Sequence, residues 1–558
     1  MKDKLLLTRL LLALALGSSI PIPLAQAAAN DAARPAGNTD SGAQLNRTRE
    51  YLERQNIARK IQEGWEKNTV EGTAASEKRE ADAVRFVLSE VEIPASQVLK
   101  PEELQTIIQE YKGKEISIND LYALVGKINK LYQEKGYMTC RAYLAPQTIH
   151  QGHVKIDLYE GKNGELEFSG RKTTRKGYIR DRLHIQPGEI QNMNQLNKDI
   201  LRFNATNDAQ LHIILKAGKE PGTTDYVIAV REPQDQVTGV FVDDAGNKTS
   251  GEYRVGMYWQ DRNLLGNRDH LFISTLRSQG TKAVAASYNT PVNTRGTRAG
   301  VSYTTNSVHI TDGPFEALGV KGHSYLFTGF LVNPIETTEN YKSEWGLEYG
   351  HQRSQTDLGT NYRNRIRWAN DTLDTVMGYY DQLNYGTSYV MYQKYGYRFG
   401  RYENLYNKTR DFGIFEFNGL YQRHIKHGQE WLVRLDGQVS STQYLPSAEM
   451  YYLGGMYSVR GYKESLIAGD SGFSGSVEYT MPMDTKRKVK GYVFLDGGHI
   501  WGDSAYGDRN LMGAGAGIKW EINPHMSLNT ALAFPLIRTI NSENQSRTRI
   551  HFSFNSAF

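Results

Sequence analysis

From about Gln234 to its last residue the chain alternates with a period of two. In Tyr253-Arg254-Val255-Gly256-Met257-Tyr258-Trp259-Gln260 one face carries Tyr, Val, Met and Trp, and the other Arg, Gly, Tyr and Gln. Trp345, Leu347 and Tyr349 alternate with Glu344, Gly346, Glu348 and Gly350. Trp431, Val433 and Leu435 alternate with Leu432, Arg434 and Asp436. The chain ends Ile550, Phe552, Phe554, Ser556, Phe558 against Arg549, His551, Ser553, Asn555 and Ala557. Successive side chains of a strand point to opposite faces, so this pattern demands strands with one apolar and one polar side. Residues 235–558 also hold 26 of the 35 Tyr and 6 of the 7 Trp, which marks a change of domain. Apolar-out, polar-in strands of about ten residues with aromatic girdles predict a transmembrane β-barrel. At about 20 residues per strand and turn, this zone (234–558) makes about 16 antiparallel strands.

The beginning of the chain supplies a reason to be at a membrane. Lys2, Lys4 and Arg9 precede a short apolar run, Leu10 to Leu16, and Ala25-Gln26-Ala27 offers a small-x-small cleavage site. This predicts a secretory signal peptide over 1–27. Pro21, Pro23 and the shortness of the run argue against a membrane anchor. No later stretch approaches 18 consecutive apolar residues, and mean hydropathy is −0.56, so a membrane crossing must be made by a barrel. A soluble β-sandwich would explain the alternation, but neither the aromatic density nor the export signal.

Between leader and barrel lie five zones. Residues 28–44 are small and polar and are expected to be flexible. Residues 45–66 predict a helix, with Glu50 four residues before Arg54 as a supporting pair. Its apolar positions, Leu45, Leu52, Ile57, Ile61 and Trp65, are sparse, and the remaining circumference is charged. Such a helix either bridges solvent or lies in a polar environment. Residues 67–83 predict a linker. Residues 84–161 read β-α-α-β-β, with Pro101 at a helix start and Gly136 at a helix stop, and 162–233 repeat the order. Two units of roughly 75 residues with one element order form a tandem repeat of α+β modules.

Two short motifs inside the barrel zone carry a family resemblance. Val459-Arg460-Gly461-Tyr462 matches a VRGY motif, and Phe494-Leu495-Asp496-Gly497-Gly498 matches F-x-D-x-G. With the leader, the polar helix, the two modules, GYMTCRAYLAPQ leading to Glu160-Gly161, and the terminal Phe558, the chain resembles the two-partner secretion transporters (TpsB family) over essentially its whole mature length. The resemblance implies that the modules are POTRA domains and that the helix at 45–66 plugs the pore. It also implies that VRGY lies on a long loop, L6, inserted around 450–468, and that Phe558 is read by the barrel-assembly machinery. It places the protein in the outer membrane of a Gram-negative bacterium with the POTRA domains in the periplasm. It implies secretion, without nucleotide hydrolysis, of one large β-helical exoprotein (an adhesin, a haemolysin or a contact-dependent-inhibition toxin) recognised through its N-terminal secretion domain. Alternation sends Val493 and Leu495 to lipid and Phe494, Asp496 and Gly498 to the lumen, where Arg460 can pair with Asp496 as a latch.

Other features of the sequence carry less chemistry. A single Cys excludes disulfide frameworks and thiolate-rich metal sites, and a net charge of +5 is too mild to argue for nucleic acid. His424-Ile425-Lys426-His427 has no third ligand nearby, so no metal site is expected there. Gly513-Ala514-Gly515-Ala516-Gly517 lacks the helix and Lys-Ser/Thr of a phosphate loop, and reads instead as a strand that a neighbouring loop approaches closely. No GxSxG elbow follows from the Ser, His and Asp content, so neither a catalytic residue nor a cofactor is expected. Cys140 reads as a small core residue. Two alternatives remain: an outer-membrane insertase of the barrel-assembly kind, and an outer-membrane enzyme such as a phospholipase.

Overall fold

The computed structural model describes residues 40–49, 85–313, 315–359, 365–502 and 509–558. The leader expected at 1–27, the linker at 67–83 and the helix positions Leu52, Ile57, Ile61 and Trp65 lie outside the described residues.

The stretch read as one opening strand of the first module is two strands, Arg85–Val87 and Glu90–Glu92. Leu88 turns into the core with no exposed surface. Ser89 and Glu90 both give their N–H to the carbonyl of Gly152, at 2.9 and 3.3 Å. Gly152 has φ +75°, and a Cβ there would sit 1.9 Å from the Val87 carbonyl, so this close crossing requires glycine. Arg85–Val87 pairs with Glu115–Ser117 antiparallel, and Glu90–Glu92 pairs with His153–Lys155 parallel. Ser117 then caps the helix Ile118–Glu134 in a capping box with Asp120. Gly136, at φ +86°, follows its end.

In the second module the strand Thr223–Arg231 is central. Lys162–Ser169 flanks it in parallel and Gln210–Ala217 antiparallel, with the helix Met193–Thr206 packed on the sheet through Leu196 and Phe203. Between the modules, the Met193 N–H meets the Gly136 carbonyl at 2.7 Å, and the Asn192 amide meets the Lys135 carbonyl at 3.0 Å.

Sixteen antiparallel strands then close a barrel, from Gln236–Asp243 to Arg549–Ala557. On Val489–Trp501, Val493 and Leu495 are each 50% exposed on the outside while Phe494 and Asp496 are buried within, as alternation requires. The second module is docked on the barrel's turns. Arg268, whose side chain has no exposed surface, bonds Asp208 of the module through Nε at 2.7 Å and Asp235 of the connecting segment through Nη1 at 2.8 Å. Inside the barrel lie a helix over 41–49 and the loop of residues 441–470 between the strands Glu430–Ser440 and Ser471–Pro482.

Cys140 opens the strand Cys140–Tyr143 within the first module's core, beside Leu124 and Ile128. Burial pushes its thiol pKa up to about 11. At pH 8 the reactive thiolate is then about a thousandth of the population. Maleimide should therefore leave the folded protein unlabelled over an hour at pH 8 and modify it stoichiometrically in urea. Equal rates in the two states would place the thiol at the surface.

Candidate gating site in the barrel lumen

The site is assembled from three pieces of chain that meet inside the barrel: the 441–470 loop, the wall strands Ser471–Pro482 and Val489–Trp501, and the 41–49 helix. The loop returns through a short hairpin, Tyr451–Leu453 with Ile467–Gly469. Leu453, Val459, Tyr462 and Ile467 pack with Ile500, Leu511 and Ile540 into a small apolar core that gives the loop one conformation.

At the loop's tip, Arg460 reaches the wall. Its Nε donates to Asp496 Oδ2 at 2.8 Å and its Nη2 to Oδ1 at 2.9 Å, a bidentate pair, and its backbone N–H adds a third bond to Oδ2 at 3.0 Å. Nη1 bonds Glu478 at 3.1 Å and Nη2 bonds Ser476 Oγ at 3.1 Å. The guanidinium carbon stands 3.4 Å from the centre of the Phe494 ring, in cation–π geometry. Lys519 pairs with the other oxygen of Glu478, so two cations face two carboxylates. Neither Glu478 nor Lys519 was singled out from the sequence. The available signal was phase: Ser474, Ser476 and Glu478 alternate with Phe473, Gly475 and Val477, which puts a carboxylate on the lumen side.

The rest of the motif fixes the loop around that pair. Gly461 has φ +98°, a conformation that disfavours a side chain. Its N–H donates to His551 Nε2 at 3.2 Å. Tyr462 is almost fully buried, and its hydroxyl lies 2.7 Å from the Met512 carbonyl and 2.9 Å from that of Ile537. Gly498 leaves room for Leu453, and a Cβ on Gly513 would lie 2.0 Å from the Arg460 carbonyl. The glycine-rich strand is thus the surface against which the loop rests.

The helix begins at 41 rather than 45. Asp40 accepts the N–H groups of Gly42 at 2.6 Å and Ala43 at 3.0 Å, and it caps the first turn. Residues 40–44, expected to be a flexible approach, are buried in the lumen instead. Small polar wall residues make this possible: Ser41 Oγ lies 2.5 Å from Ser324 Oγ and 3.2 Å from Ser354 Oγ, and Asn306 bonds the Ser41 carbonyl at 2.9 Å. Leu45 is fully buried.

The same helix holds the loop. Ser447 donates to Asp40 at 2.6 Å, Asn46 to the Ala448 carbonyl at 2.7 Å, and Arg47 to Ser465 at 2.6 Å. Beside the helix's described end, Arg49 lines a cavity of about 520 Å³ that extends to Asn207 and Asp208 of the second module. At the far end of the chain, Phe558 exchanges backbone hydrogen bonds with Thr238 at 2.8 and 3.0 Å while its ring remains exposed. Among the described residues no three His, Cys, Asp or Glu side chains gather to hold a metal ion, and His424 pairs with Glu430.

Comparison with known proteins agrees with this architecture. Residues 222–520 match the family described as haemolysin secretion/activation protein ShlB/FhaC/HecB, and 86–161 match the ShlB-type POTRA domain. The heme/hemopexin transporter protein HuxB of Haemophilus influenzae (strain 86-028NP) is 26% identical over 538 residues, covering 91% of this chain and 93% of its own. The solved structure of CdiB from Escherichia coli shares the fold, with a TM-score of 0.69 at 18% identity over 95% of this chain and 100% of that one. BamA from Haemophilus ducreyi lacking POTRA domains 1–3 is more distant, with a TM-score of 0.51 at 16% identity over 85% of this chain and 100% of that one. With more than half its length matching that family, a closed barrel of sixteen strands and a POTRA domain of the same type, the chain belongs to the ShlB/FhaC/HecB family of two-partner secretion transporters.

Proposed function

We propose that this outer-membrane transporter is held shut by two coupled obstructions, the N-terminal helix and the inserted loop, and that a partner chain recognised in the periplasm displaces them. The observation that carries the reading is that the helix and the loop bond each other and the wall through side chains, whereas the wall itself is a continuous β-ladder. In this reading Val459, Arg460, Gly461, Tyr462, Phe494, Asp496 and Gly498 form the loop's seat, with Glu478 as a second anchor. The helix through Leu45, Leu52, Ile57, Ile61 and Trp65 is the plug, residues 1–27 direct export, and Phe558 is the group read at assembly.

The exported partner is a large exoprotein of β-helical type, captured first by the two modules. The strand Gln210–Ala217 suits that role. Among the described residues it pairs with Thr223–Arg231 on one side, and the Asn204 amide bonds its other edge at Leu211. Ile214 and Leu215 are 46% and 42% exposed beyond that point. An extended chain can add to such an edge through main-chain hydrogen bonds. No catalytic step is assigned to the chain. Partner binding opens the pore only insofar as the partner prefers the open state.

Removing Arg460 would leave the buried Asp496 without its cation and Glu478 with Lys519 alone, and breaking such a buried pair typically costs about 3–5 kcal/mol. Arg460→Ala should lower export of the partner to a small fraction of wild type at equal barrel levels. Arg460→Lys, which keeps the charge but not the fork, should fall between the two. Wild-type export by Arg460→Ala would overturn the seat.

Deleting 41–66 tests the plug. In planar bilayers the deletion should raise single-channel conductance several-fold above the full-length protein, and unchanged conductance would show that the helix does not block the pore.

A further inference from the structure

The two ends of the barrel meet at its shortest junction. The strands Gln236–Asp243 and Arg549–Ala557 pair from Gly239↔Ala557 to Asp243↔Ser553, five positions. The next shortest junction, Arg254–Asp261 with His270–Arg277, has seven. Beyond Asp243 the ladder continues through a side chain. Asp244 Oδ1 accepts the Phe552 N–H at 2.9 Å, and Asp244 N–H reaches the Phe552 carbonyl at 3.3 Å. The other oxygen, Oδ2, lies 2.8 Å from His551 Nδ1, with both side chains buried. Around this closure the pairs Arg254–Asp243 and Arg549–Glu252 flank the same end of the seam.

His551 is also the residue that receives the loop. Its Nε2 accepts the N–H of Gly461, next in sequence to Arg460. An acceptor nitrogen carries no proton, so the ring's proton sits on Nδ1 and is donated to Asp244. One neutral imidazole thus joins the loop tip to the carboxylate that extends the seam, with both ring nitrogens used. Its orientation is fixed from two sides, by Asp244 on the first strand's end and by Gly461 on the loop.

We propose that His551 is a positioning residue that relays the seating of the loop to the barrel's closing seam: while Gly461 is in place, Asp244 holds Phe552 and the seam is locked at this end. When the loop leaves, Nε2 loses its partner, the ring is free to turn, and the seam frays from residue 552 downward. This rests on the reading that the loop leaves its seat, and it adds that the barrel wall responds when it does.

The test is hydrogen–deuterium exchange on the full-length protein in nanodiscs, following peptides of the seam (549–557) and of the loop (456–465) separately. His551→Phe keeps the ring's volume without its nitrogens. It should speed exchange of the seam about ten-fold while Arg460 keeps the loop peptide protected. His551→Gln, which can still accept from Gly461, should restore part of that protection and serves as the assay variant should the Phe variant assemble poorly. Arg460→Ala should speed exchange of both peptides, and adding His551→Phe to it should speed the seam no further.

Wild-type seam protection in both His551 variants would overturn the relay, as would independent, multiplying effects in the double variant. A protected loop in Arg460→Ala would instead count against the loop's seat, and the His551 variants would still decide the relay by themselves.

Discussion

The position of the inserted loop follows from one guanidinium. Arg460 meets two carboxylates, a hydroxyl and an aromatic face inside a wall that water reaches poorly, and each of these groups is carried by a different position of two adjacent strands. Buried charges are stable only when they are paired and hydrogen-bonded. Asp496 therefore needs the loop as much as the loop needs it, while Glu478 also has Lys519 on the wall. The glycines around the pair serve the same end. At Gly513 the backbones of loop and wall approach more closely than any side chain permits, and Gly461 adopts a positive φ that disfavours one. The loop is thereby a keyed insert rather than a loose obstruction, and its removal exposes a defined set of unpaired groups.

The barrel could be read from the sequence because lipid imposes a strict period of two on its wall, and the site's two motifs could be read because each is contiguous. Phe494, Asp496 and Gly498 face the lumen as phase required, and Arg460 meets Asp496 as the family resemblance implied. What the sequence left obscure lies across long separations. Glu478 and Lys519 join Arg460 from 18 and 41 residues apart in the chain, counted between Arg460 and Glu478 and between Glu478 and Lys519. His551 reaches Gly461 across 90 residues and Asp244 across 307. Nothing local distinguishes these residues from other inward-facing polar positions. Only the closure of the barrel brings them together.

Local misreadings have equally specific causes. The first module's opening strand breaks at Leu88 because the Gly152 turn intrudes between its halves and takes two of its N–H groups. Hydrophobic periodicity carries no trace of that distant backbone. The helix starts at 41 because Asp40 caps it and because Ser41 and Gly42 fit against Ser324, Ser354 and Gln352 of the wall. Small polar residues read as flexible when their partner is assumed to be water. In a polar lumen lined by other small residues, the same composition allows close packing.

This contrast also suits the proposed reading, in which one chain combines a lasting wall with a removable stopper. Each wall strand is hydrogen-bonded to a neighbour on both sides, least extensively at the closing seam, and breaking that pairing in lipid would leave backbone groups with no substitute partner. The contacts of the helix and loop lie in the lumen, where water can replace them when they separate. Hydrogen bonds exchanged with water contribute only about 0.5–1.5 kcal/mol each between neutral groups, and about 1.5–3 kcal/mol where one partner is charged. Ser447–Asp40, Asn46–Ala448 and Arg47–Ser465 therefore tie helix to loop, yet weakly enough for the two to part. The buried Arg460 cluster is the costlier contact. Arg268 sets the other end of the path: it bonds Asp208 and Asp235 at once and holds the second module against the barrel's turns, beside the cavity that Arg49 lines. On the proposed reading, a chain captured on that module is delivered next to the helix, the obstruction with the weaker hold. On the proposed reading, the strengths of the contacts set the order of release: helix first, loop second, with the Arg460 seat as the step that a bound partner must offset.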